Sequence, residues 1–444
     1  MNLSTKYHLN INFDFYFVFN YSNSNQSYIM LLFKDFKKNF NSSDANKKIV
    51  IFGAGTIGRI VALSLKNQGF NVDFFCDSDE RKQESHINDL LVISPEKLSK
   101  FDPINTYIFI ANQYFSAILP FLIKNNFKKI YKVLDLLESN NVEDLYEKID
   151  MKFLFAKIAP LKLKRDIDFY NEMGFKEDYI RDNKLNLKTL DVQITEKCSL
   201  KCKDCSNLMQ YYTRPQDSEI DILFKSIEKV MLAIDELQEF RVLGGDPFMN
   251  KDLHKIINKL IEYDKCKKIV VYTNAKFVPK GENLNCLKNK KVMLDITDYG
   301  TVSSAADSFV EMAKKENILY TRVKCNTWVD CGRIIPKTNK NHEELKSLFN
   351  NCCNSDLVSL LHGKIYRCPF SANGANLGAI PKNPEDEIDL MDDTISNDEL
   401  REKIKKLCFE KDYLSACSFC NGRDYSTVNI PSAIQTPRNK ILKF

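Results

Sequence analysis

Short apolar runs alternate with longer amphipathic stretches along most of the chain. Residues 49–52, 269–274 and 292–297 are rich in branched side chains, which is typical of buried strands. The stretch 221–237 has a helical pattern instead and precedes another apolar run at 240–243. Because strands that alternate with helices usually form parallel sheets, the pattern predicts an α/β protein.

The first such unit carries a glycine turn. Residues 49–65 combine a strand, the turn and an apolar helix. Gly53 permits the tight turn, Gly55 lets a phosphate approach the helix N-terminus, and Gly58 allows close helix–strand packing. Asp77 ends the next apolar run, about where a ribose hydroxyl is bound in dinucleotide sites. We therefore expect a Rossmann-like, doubly wound domain here.

Further runs at 93–96 and 107–111 make this segment similar to the nucleotide-binding halves of sugar acetyltransferases and other glycan-biosynthesis enzymes. That resemblance implies a nucleotide or nucleotide sugar as the ligand, with the redox dinucleotide NAD as another possibility. An empty Rossmann-like module used for docking is the alternative.

Three cysteines carry the strongest chemical signal. Cys198, Cys202 and Cys205 follow a short predicted strand, with gaps of three and then two residues. Three thiolates on one loop can hold three irons of a cuboidal 4Fe-4S cluster and leave the fourth iron open. The alternative is a zinc site, which needs a fourth cysteine or histidine nearby. None lies between His86 and Cys198, or between Cys205 and His254.

The triad resembles the cluster motif of the radical S-adenosylmethionine (radical SAM) superfamily. A companion segment, similar to the Gly-Gly-Glu-Pro segment that holds the methionine amino group in that family, lies at Gly244, Gly245, Asp246 and Pro247. Thr273 and Asn274 fall at a predicted strand end, where barrel sites are built. One position departs from the family, since Asp204 replaces the aromatic residue that usually packs against the adenine.

The resemblance implies a partial (βα)6 barrel over residues 187–340. It also implies that the amino and carboxyl groups of SAM chelate the open iron of the catalytic cluster. Reductive cleavage then gives a deoxyadenosyl radical, which takes hydrogen from an unactivated C–H bond of the substrate. Reduced flavodoxin or ferredoxin is the implied electron donor.

A second group of cysteines lies near the C-terminus. The spacing of Cys353, Gly363 and Cys368, followed by Cys417 and Cys420, resembles the SPASM extension of peptide- and sugar-modifying radical SAM enzymes. Gly363 is then expected at a hairpin turn between two strands. No cysteine follows Cys420, which suggests the reduced twitch version with one auxiliary 4Fe-4S cluster. A four-cysteine zinc ribbon is the alternative.

Other residues near these cysteines are also candidates. Cys352 could replace Cys353 as a ligand. Asp330 and Cys331, after the predicted sixth barrel strand, could face a substrate, whereas Trp328 is expected in the core. The cysteines not assigned to clusters are otherwise expected to be small buried hydrophobes; they are Cys76, Cys266, Cys286, Cys325, Cys331 and Cys408.

Composition limits the remaining possibilities. The chain has 444 residues, 44% hydrophobic and 28% charged, which suits two or three globular domains. Its net charge of +5 comes from interspersed signs and indicates no nucleic-acid partner. Fourteen cysteines without a secretion signal favour a reducing cytoplasm and metal binding over disulfides. No membrane association is expected, and Met30 is a possible alternative start.

Six segments are predicted. They are an N-terminal extension (1–45), a Rossmann-like domain (46–138), a helical connector (139–186), a radical SAM barrel (187–340), a SPASM- or twitch-like domain (341–430) and a tail (431–444).

The resulting hypothesis is a cytoplasmic radical SAM enzyme of oxidoreductase type. We expect a small-molecule substrate, a sugar or nucleotide-linked sugar by analogy with the Rossmann-like partner, and net oxidation through the auxiliary cluster. One alternative is a maturase that modifies a peptide or protein. The other is an inactive scaffold that keeps its clusters for structure.

Overall fold

The computed structural model describes residues 17–20, 27–30, 33–40, 46–111, 115–131, 133, 136, 145, 148–150, 184–352, 354, 357–423 and 427–437. The chain forms two compact units, one from residues 1–168 and 176–180, the other from residues 169–175 and 181–444. The predicted connector, residues 139–186, falls largely outside the described residues, as does Cys353. Within the described part, no helix is long and apolar enough to span a bilayer.

The N-terminal unit contains a six-stranded, mainly parallel sheet. Ahead of it lie β1 (Phe17–Asn20), β2 (Ser27–Met30) and α1 (Phe33–Asn39). The sheet and its helices are β3 (Lys48–Phe52), α2 (Thr56–Asn67), β4 (Phe74–Cys76), β5 (His86–Ile87), β6 (Leu90–Ile93), α3 (Pro95–Leu98), β7 (Thr106–Ile110), α4 (Phe115–Lys124) and β8 (Ile130–Tyr131).

The strand order β5-β6-β4-β3-β7-β8 places successive strands on opposite sides of β3. Only β5 runs antiparallel to its neighbour among these strands. The order reverses between β3 and β7, and open parallel sheets form a crevice at the carboxyl ends of the strands at such a point. The glycine turn that follows β3 lies at this crevice.

Both faces of β3 are buried, which explains its continuous apolar sequence. Ile49 and Ile51 pack in one cluster with Phe36, while Val50 and Phe52 pack in another with α4 residues. Phe36 lies on α1, before residue 46 where the sequence places the start of this domain. The core therefore extends into the predicted N-terminal extension.

The C-terminal unit is built on an eight-stranded sheet. Its elements are β9 (Asn186–Thr195), α5 (Ile220–Ala233), β10 (Glu236–Gly244), α6 (Leu253–Ile261), β11 (Cys266–Thr273), α7 (Glu282–Asn285), β12 (Val292–Asp298), α8 (Ala306–Lys315), β13 (Leu319–Lys324), β14 (Thr327–Val329), α9 (His342–Asn350), β15 (Ser359–Leu361), β16 (Lys364–Tyr366), α10 (Pro369–Asn376), β17 (Glu387–Asp389), α11 (Asn397–Phe409) and β18 (Asn429–Pro431). The strand order is β13-β12-β11-β10-β9-β15-β16-β17.

Strands β9 to β13 are parallel and each pairs with the next along the chain. The expectation of six successive barrel strands is wrong in this respect, because the chain leaves β13 for β14, which pairs with β18 near the C-terminus instead. The sixth parallel strand of the sheet is β15, which adds to the other side of β9. Cys325 and the residues after it thus follow the fifth strand of the series.

The hairpin predicted around Gly363 is present. Strands β15 and β16 pair antiparallel through a two-residue turn. Its residues, His362 and Gly363, have φ angles of 45° and 82°. Two successive positive φ angles suit the right-handed twist of a tight hairpin, so the glycine has a conformational reason to be there.

The two faces of β9 differ sharply in polarity. Leu190, Val192 and Ile194 belong to the main apolar core, together with residues of α5, α6 and α8. Successive side chains of a strand point to opposite faces, so Asp191 and Gln193 point away from these helices. Both are nevertheless only 1% exposed. The sheet therefore buries a hydrophilic face as well as an apolar one.

The glycine turn of the N-terminal unit yields a stability prediction. A Cβ on Gly58 would lie 1.8 Å from the carbonyl oxygen of Gly53. Gly58→Ala should therefore lower the free energy of unfolding of this unit by about 1–3 kcal/mol, as overpacking generally does. Pulse proteolysis in urea measures the effect. The matched control is Gly55→Ser, because an added Cβ there meets no atom within 4 Å and serine favours the N-cap position. Equal stability of the two variants would contradict the packing argument.

Candidate functional site

The three predicted cluster ligands lie on the loop that follows β9, at the carboxyl end of the parallel strands. Cys202 is buried, and Cys198 and Cys205 are partly buried. All three pack in one small cluster, whose other members are Leu200, Ala433, Tyr299, Val302 and Trp328. The structure thus brings the triad together against aromatic and aliphatic side chains. Trp328, expected in the core, is only partly buried and packs against this small cluster instead.

Burial controls the protonation of these thiols. It raises the pKa of Cys198 above its ordinary value and that of Cys202 to about 12. Burial also raises the pKa of Cys205, but hydrogen bonds from the backbone amides of Met209 and Asn207 partly offset that rise. The free thiols are therefore neutral, and metal ligation must displace their protons.

Two side-chain amides donate to the triad sulfurs. Asn274 Nδ2 lies 3.5 Å from Cys198 Sγ, and Gln435 Nε2 lies 3.2 Å from Cys202 Sγ. Hydrogen bonds to cluster sulfurs influence reduction potential. The sequence identified Asn274, but Gln435 was missed because it lies far along the chain without a motif.

The glycine segment after β10 packs directly on the start of the cysteine loop. A Cβ on Gly244 would lie 2.1 Å from the Thr195 carbonyl oxygen, and one on Gly245 would lie 2.1 Å from that of Lys197. Gly244 also has a φ of 148°. Only glycine permits this approach without displacement of the backbone.

Asp246 links the ends of β10 and β11. Its side chain accepts hydrogen bonds from Thr273 Oγ1 at 2.9 Å and from the Asn274 amide at 3.0 Å. Burial nevertheless raises the pKa of this carboxyl above its ordinary value. Pro247 begins the turn that follows Asp246. The structure therefore gathers the predicted SAM-binding residues at adjacent strand ends.

Asp204, which replaces the usual aromatic residue, turns toward another loop. Arg333 Nε lies 2.9 Å from Asp204 Oδ1. A Cβ on the neighbouring Gly332 would lie 1.9 Å from the Asp204 carbonyl oxygen. Gln210 Nε2 also donates to the Gly332 carbonyl at 2.6 Å. These contacts fasten residues 330–333 to the cysteine loop.

A second group of cysteines surrounds a cavity of about 40 Å³, here called the cysteine cavity. The thiols in its lining belong to Cys331, Cys352, Cys368, Cys417 and Cys420. Most of the remaining lining is apolar, with Phe349, Phe370 and Leu414 among its residues. Three of the predicted auxiliary ligands, Cys368, Cys417 and Cys420, therefore lie together. Cys352, the predicted substitute for Cys353, lines the same cavity.

The sulfurs of the cysteine cavity are as deeply buried as the triad. Burial raises the pKa of Cys417 to about 12 and that of Cys331 to about 11. Backbone amides donate to two sulfurs, from Ser371 to Cys368 at 3.2 Å and from Gly422 to Cys420 at 3.3 Å. Amide donors of this kind stabilise thiolates.

Whether these residues suit a metal site depends on whether the site holds a single ion or a cluster. Among the described residues, no three Cys, His, Asp or Glu side chains converge as the ligands of a single ion. A cuboidal cluster instead takes each thiolate on a different iron, so its ligands surround a volume. All-sulfur sets in apolar surroundings fit that arrangement, and soft thiolates favour iron–sulfur clusters or zinc.

Asp330 and Cys331 occupy different surroundings. Arg333 contacts both carboxylate oxygens of Asp330, at 2.6 and 2.8 Å. Cys331 is 4% exposed and borders the cysteine cavity. Their contact with a substrate stays a prediction. Cys76, Cys266, Cys286 and Cys408 are buried as expected, whereas Cys325 is partly exposed.

In the N-terminal unit the glycine turn closes on Asp77. Gly53 has a φ of 112°, and Gly55 caps α2. Asp77 Oδ2 accepts a hydrogen bond from the Ala54 amide at 2.8 Å and lies 3.0 Å from Lys82 Nζ. Its second oxygen accepts from the Asp79 amide at 2.9 Å. Asp77 thus supports the turn in addition to its predicted role toward a ribose.

Comparison with known proteins points to the barrel segment. Residues 191–318 match the family model described as a 4Fe-4S single cluster domain. The GTP 3',8-cyclase of Campylobacter jejuni is 25% identical over 192 residues, 40% of this chain and 53% of that protein. That of Helicobacter pylori is 28% identical over 150 residues, 32% of this chain and 40% of that protein. The match thus spans about half the length of these relatives, or less.

Solved structures with some similarity include BtrN in complex with AdoMet and 2-DOIA, at 16% identity and a TM-score of 0.35, over 54% of this chain and 94% of that one. Another is anSMEcpe with bound AdoMet and the Kp18Cys peptide, at 13% identity and a TM-score of 0.36, over 50% and 83%. SuiB of Streptococcus suis with S-adenosylmethionine has 14% identity and a TM-score of 0.26, over 54% and 49%.

The family model covers the strand that carries the cysteine loop, the triad itself and the glycine segment. The likeness to a described 4Fe-4S cluster domain thus concerns this segment of the chain.

Proposed function

We propose that this protein is a radical SAM enzyme that oxidises a small polar molecule, a sugar or nucleotide-linked sugar. The observation that carries the proposal is the packing of Cys198, Cys202 and Cys205 in one cluster at the end of β9, beside the glycine segment. With SAM bound, a 4Fe-4S cluster on these thiolates supplies a deoxyadenosyl radical that removes hydrogen from a C–H bond.

The strand ends beside the triad fit a role in holding SAM. Gly244 and Gly245 let the end of β10 pack directly on the start of the cysteine loop, which fixes the strand ends beside the triad. Asp246 fixes Thr273 and Asn274 through two hydrogen bonds, so the polar groups at the end of β11 keep their orientation. Such pre-organisation lowers the entropic cost of positioning a reactant.

The buried hydrophilic face of the sheet supports a polar substrate. Arg241 NH1 lies 3.2 Å from Asp191 Oδ1, and Lys268 Nζ lies 2.8 Å from Glu239 Oε2. Buried ion pairs contribute little net stability, so their presence calls for another explanation. An apolar ligand against this face would leave charges and hydroxyls unpaired at considerable cost.

Several buried polar atoms on this face lack a hydrogen-bond partner in the described structure. Gln193 Nε2 and Thr321 Oγ1 are two of them, although Gln193 is 1% and Thr321 0% exposed. Tyr272 pairs with Asp295, which pairs with Thr321, along the sheet. Buried polar groups are nearly always hydrogen-bonded. A hydroxyl-rich or amine-rich ligand would satisfy them, which is the chemistry of a sugar.

The cysteine cavity fits the acceptor of a second electron. After loss of a hydrogen atom, the substrate carbon carries an unpaired electron. An oxidised 4Fe-4S cluster held in the cavity would supply the acceptor for that electron, and loss of a proton from the substrate would then complete a two-electron oxidation. Cys368, Cys417 and Cys420 would hold this cluster with a cysteine at position 352 or 353. Reduced flavodoxin or ferredoxin would supply the electron for SAM cleavage.

The N-terminal unit is proposed to bind a nucleotide or nucleotide sugar in a Rossmann-like manner. Gly55 leaves open space at the N-terminus of α2, where a phosphate is favoured. The alternatives are that this unit binds NAD or that it is a docking module without a ligand.

A peptide maturase is the nearest rival. A pull-down that returned a small partner peptide, without turnover of any nucleotide sugar, would favour it. The inactive scaffold would be favoured if reduced, reconstituted protein released no deoxyadenosine under anaerobic conditions.

The first functional prediction concerns the triad. Cys198→Ala should abolish reductive SAM cleavage and remove about four of about eight irons per reconstituted chain, because one of three cluster ligands is lost. Liquid chromatography of 5′-deoxyadenosine and iron analysis measure both effects. Cys286→Ala is the control, since Cys286 is buried among core residues. Undiminished cleavage by Cys198→Ala would refute the catalytic assignment.

The second concerns the auxiliary site. Cys417→Ala should keep SAM binding and cleavage but stop substrate oxidation, because the electron acceptor is lost. Isothermal titration with SAM and product analysis separate the two effects. Normal oxidation by this variant would show that the cysteine cavity accepts no electron. A wild-type iron content of about four would instead leave the zinc ribbon as the better description.

The third concerns the hydrophilic face. Thr321→Val removes one buried hydroxyl with little change in shape, so it should weaken productive substrate binding by about tenfold, the effect of one lost hydrogen bond to a buried partner. The measurement is deuterium transfer from a deuterated UDP-hexose to 5′-deoxyadenosine. Uncoupled SAM cleavage and iron content serve as internal controls. Unchanged transfer would place the substrate elsewhere.

A further inference from the structure

The cysteine cavity holds more thiols than a 4Fe-4S cluster binds. Five cysteines line it, at positions 331, 352, 368, 417 and 420. A cuboidal cluster has four irons and takes at most four thiolates. The sequence spacing accounts for 368, 417 and 420 and for one cysteine at 352 or 353. Cys331 belongs to none of these motifs.

Three of the five thiols have fixed positions. Cys368 caps α10 and its sulfur accepts the Ser371 amide. Cys417 and Cys420 lie in or directly after one short 3-10 turn, Ser415–Phe419, and the Gly422 amide donates to Cys420. Local backbone structure therefore orients these three sulfurs. Among the described cysteines of the cavity, Cys331 and Cys352 are the candidates for the remaining corner.

Cys331 is held by contacts of a different origin. It follows β14, which pairs with β18, and its amide donates to the Val329 carbonyl at 2.8 Å. The next residue, Gly332, packs against the Asp204 carbonyl. Ser206, adjacent to Cys205, also borders the cysteine cavity. The loop that carries Cys331 thus contacts the triad loop and borders the cavity.

Simple burial does not account for this arrangement. Cys266 and Cys408 are also buried, but they pack in the main core among aliphatic side chains. Cys331 instead borders a cavity whose lining contains four other thiols. A substrate-facing role fits this position less well. A polar substrate needs hydrogen-bonding groups around it, and most of this lining is apolar.

We propose that Cys331 is a ligand of the auxiliary cluster and shares one corner with Cys352. The exchange is balanced without oxidation, since the incoming thiol gives its proton to the departing thiolate while one iron–sulfur bond forms and another breaks. The inference rests on the proposed auxiliary cluster. It also places one ligand of that cluster on the loop of residues 330–333, which contacts the cysteine loop of Cys198, Cys202 and Cys205.

The test isolates the auxiliary site. The parent carries Cys198→Ala, Cys202→Ala, Cys205→Ala and Cys353→Ser, so that triad iron is removed and the neighbouring cysteine at 353 cannot substitute. Anaerobic reconstitution is followed by iron and sulfide analysis and by electron paramagnetic resonance of the dithionite-reduced cluster. The triad variant with Cys353 intact is analysed beside this parent. Absence of iron from both would refute the auxiliary cluster itself, whereas iron in the triad variant and none in the parent would make Cys353 the fourth ligand and refute the present inference.

In this parent, Cys331→Ser and Cys352→Ser should each retain about four irons, with different resonance line shapes, because the remaining cysteine fills the corner. The double variant should lose most of the cluster, with at least a fivefold fall in iron. Cys408→Ser is the matched control, because Cys408 is buried outside the cavity. Cys368→Ser, as a single substitution in this parent, should be sufficient to lose the cluster. Circular dichroism verifies folding of each variant.

Two further results would overturn the proposal. One is loss of iron in Cys352→Ser alone while Cys331→Ser is silent, which would make Cys352 the sole ligand. The other is a double variant with undiminished iron and an unchanged spectrum, which would place neither cysteine on the cluster.

Discussion

The contact between the glycine segment and the start of the cysteine loop constrains the rest of the C-terminal unit. Gly244 and Gly245 approach the carbonyl oxygens of Thr195 and Lys197 so closely that any Cβ would displace the backbone. This contact sets the distance between the ends of β9 and β10. It therefore also places Cys198, which lies three residues beyond Thr195 and one beyond Lys197, relative to Asp246 and the end of β11. A cluster and the molecule it reduces need this fixed geometry.

Distant segments complete the environment of the triad. Gln435 donates to Cys202 and Ala433 packs beside it. On another side, Glu196 is held by His362 of the hairpin turn, with 2.9 Å between His362 Nε2 and Glu196 Oε1. Although burial opposes ionisation, hydrogen bonds from His362 and its neighbours keep the pKa of Glu196 below its ordinary value. The cysteine loop is thus held by side-chain hydrogen bonds from the C-terminal third of the chain.

Local patterns in the sequence predicted the local features of this structure. The parallel strands and the grouping of Cys198 with its neighbours follow from periodicity and spacing, whereas the hairpin at Gly363 follows from the resemblance to the SPASM extension. The contacts of Gln435 and Cys331 could not be predicted, because each depends on β14 pairing with β18 across about a hundred residues of sequence. The same pairing explains why the expected sixth successive barrel strand does not occur. The segment after β13 forms β14, which pairs with β18. Asp204 carried a visible signal as a departure from the family, but its partner Arg333 did not.

The hydrophilic face of the sheet and the cysteine cavity share one physical property. Each buries groups that contribute little to folding on their own, since buried ion pairs roughly break even and buried thiols must remain protonated without metal. Asp191 and Arg241 could be apolar at no obvious cost to the core, and so could Cys331. In the proposed function both features would contact a ligand, the hydrophilic face a polar substrate and the cysteine cavity an auxiliary cluster. That function would arrange substrate, catalytic cluster and electron acceptor around β9, which pairs with β10 on one side and with β15 on the other.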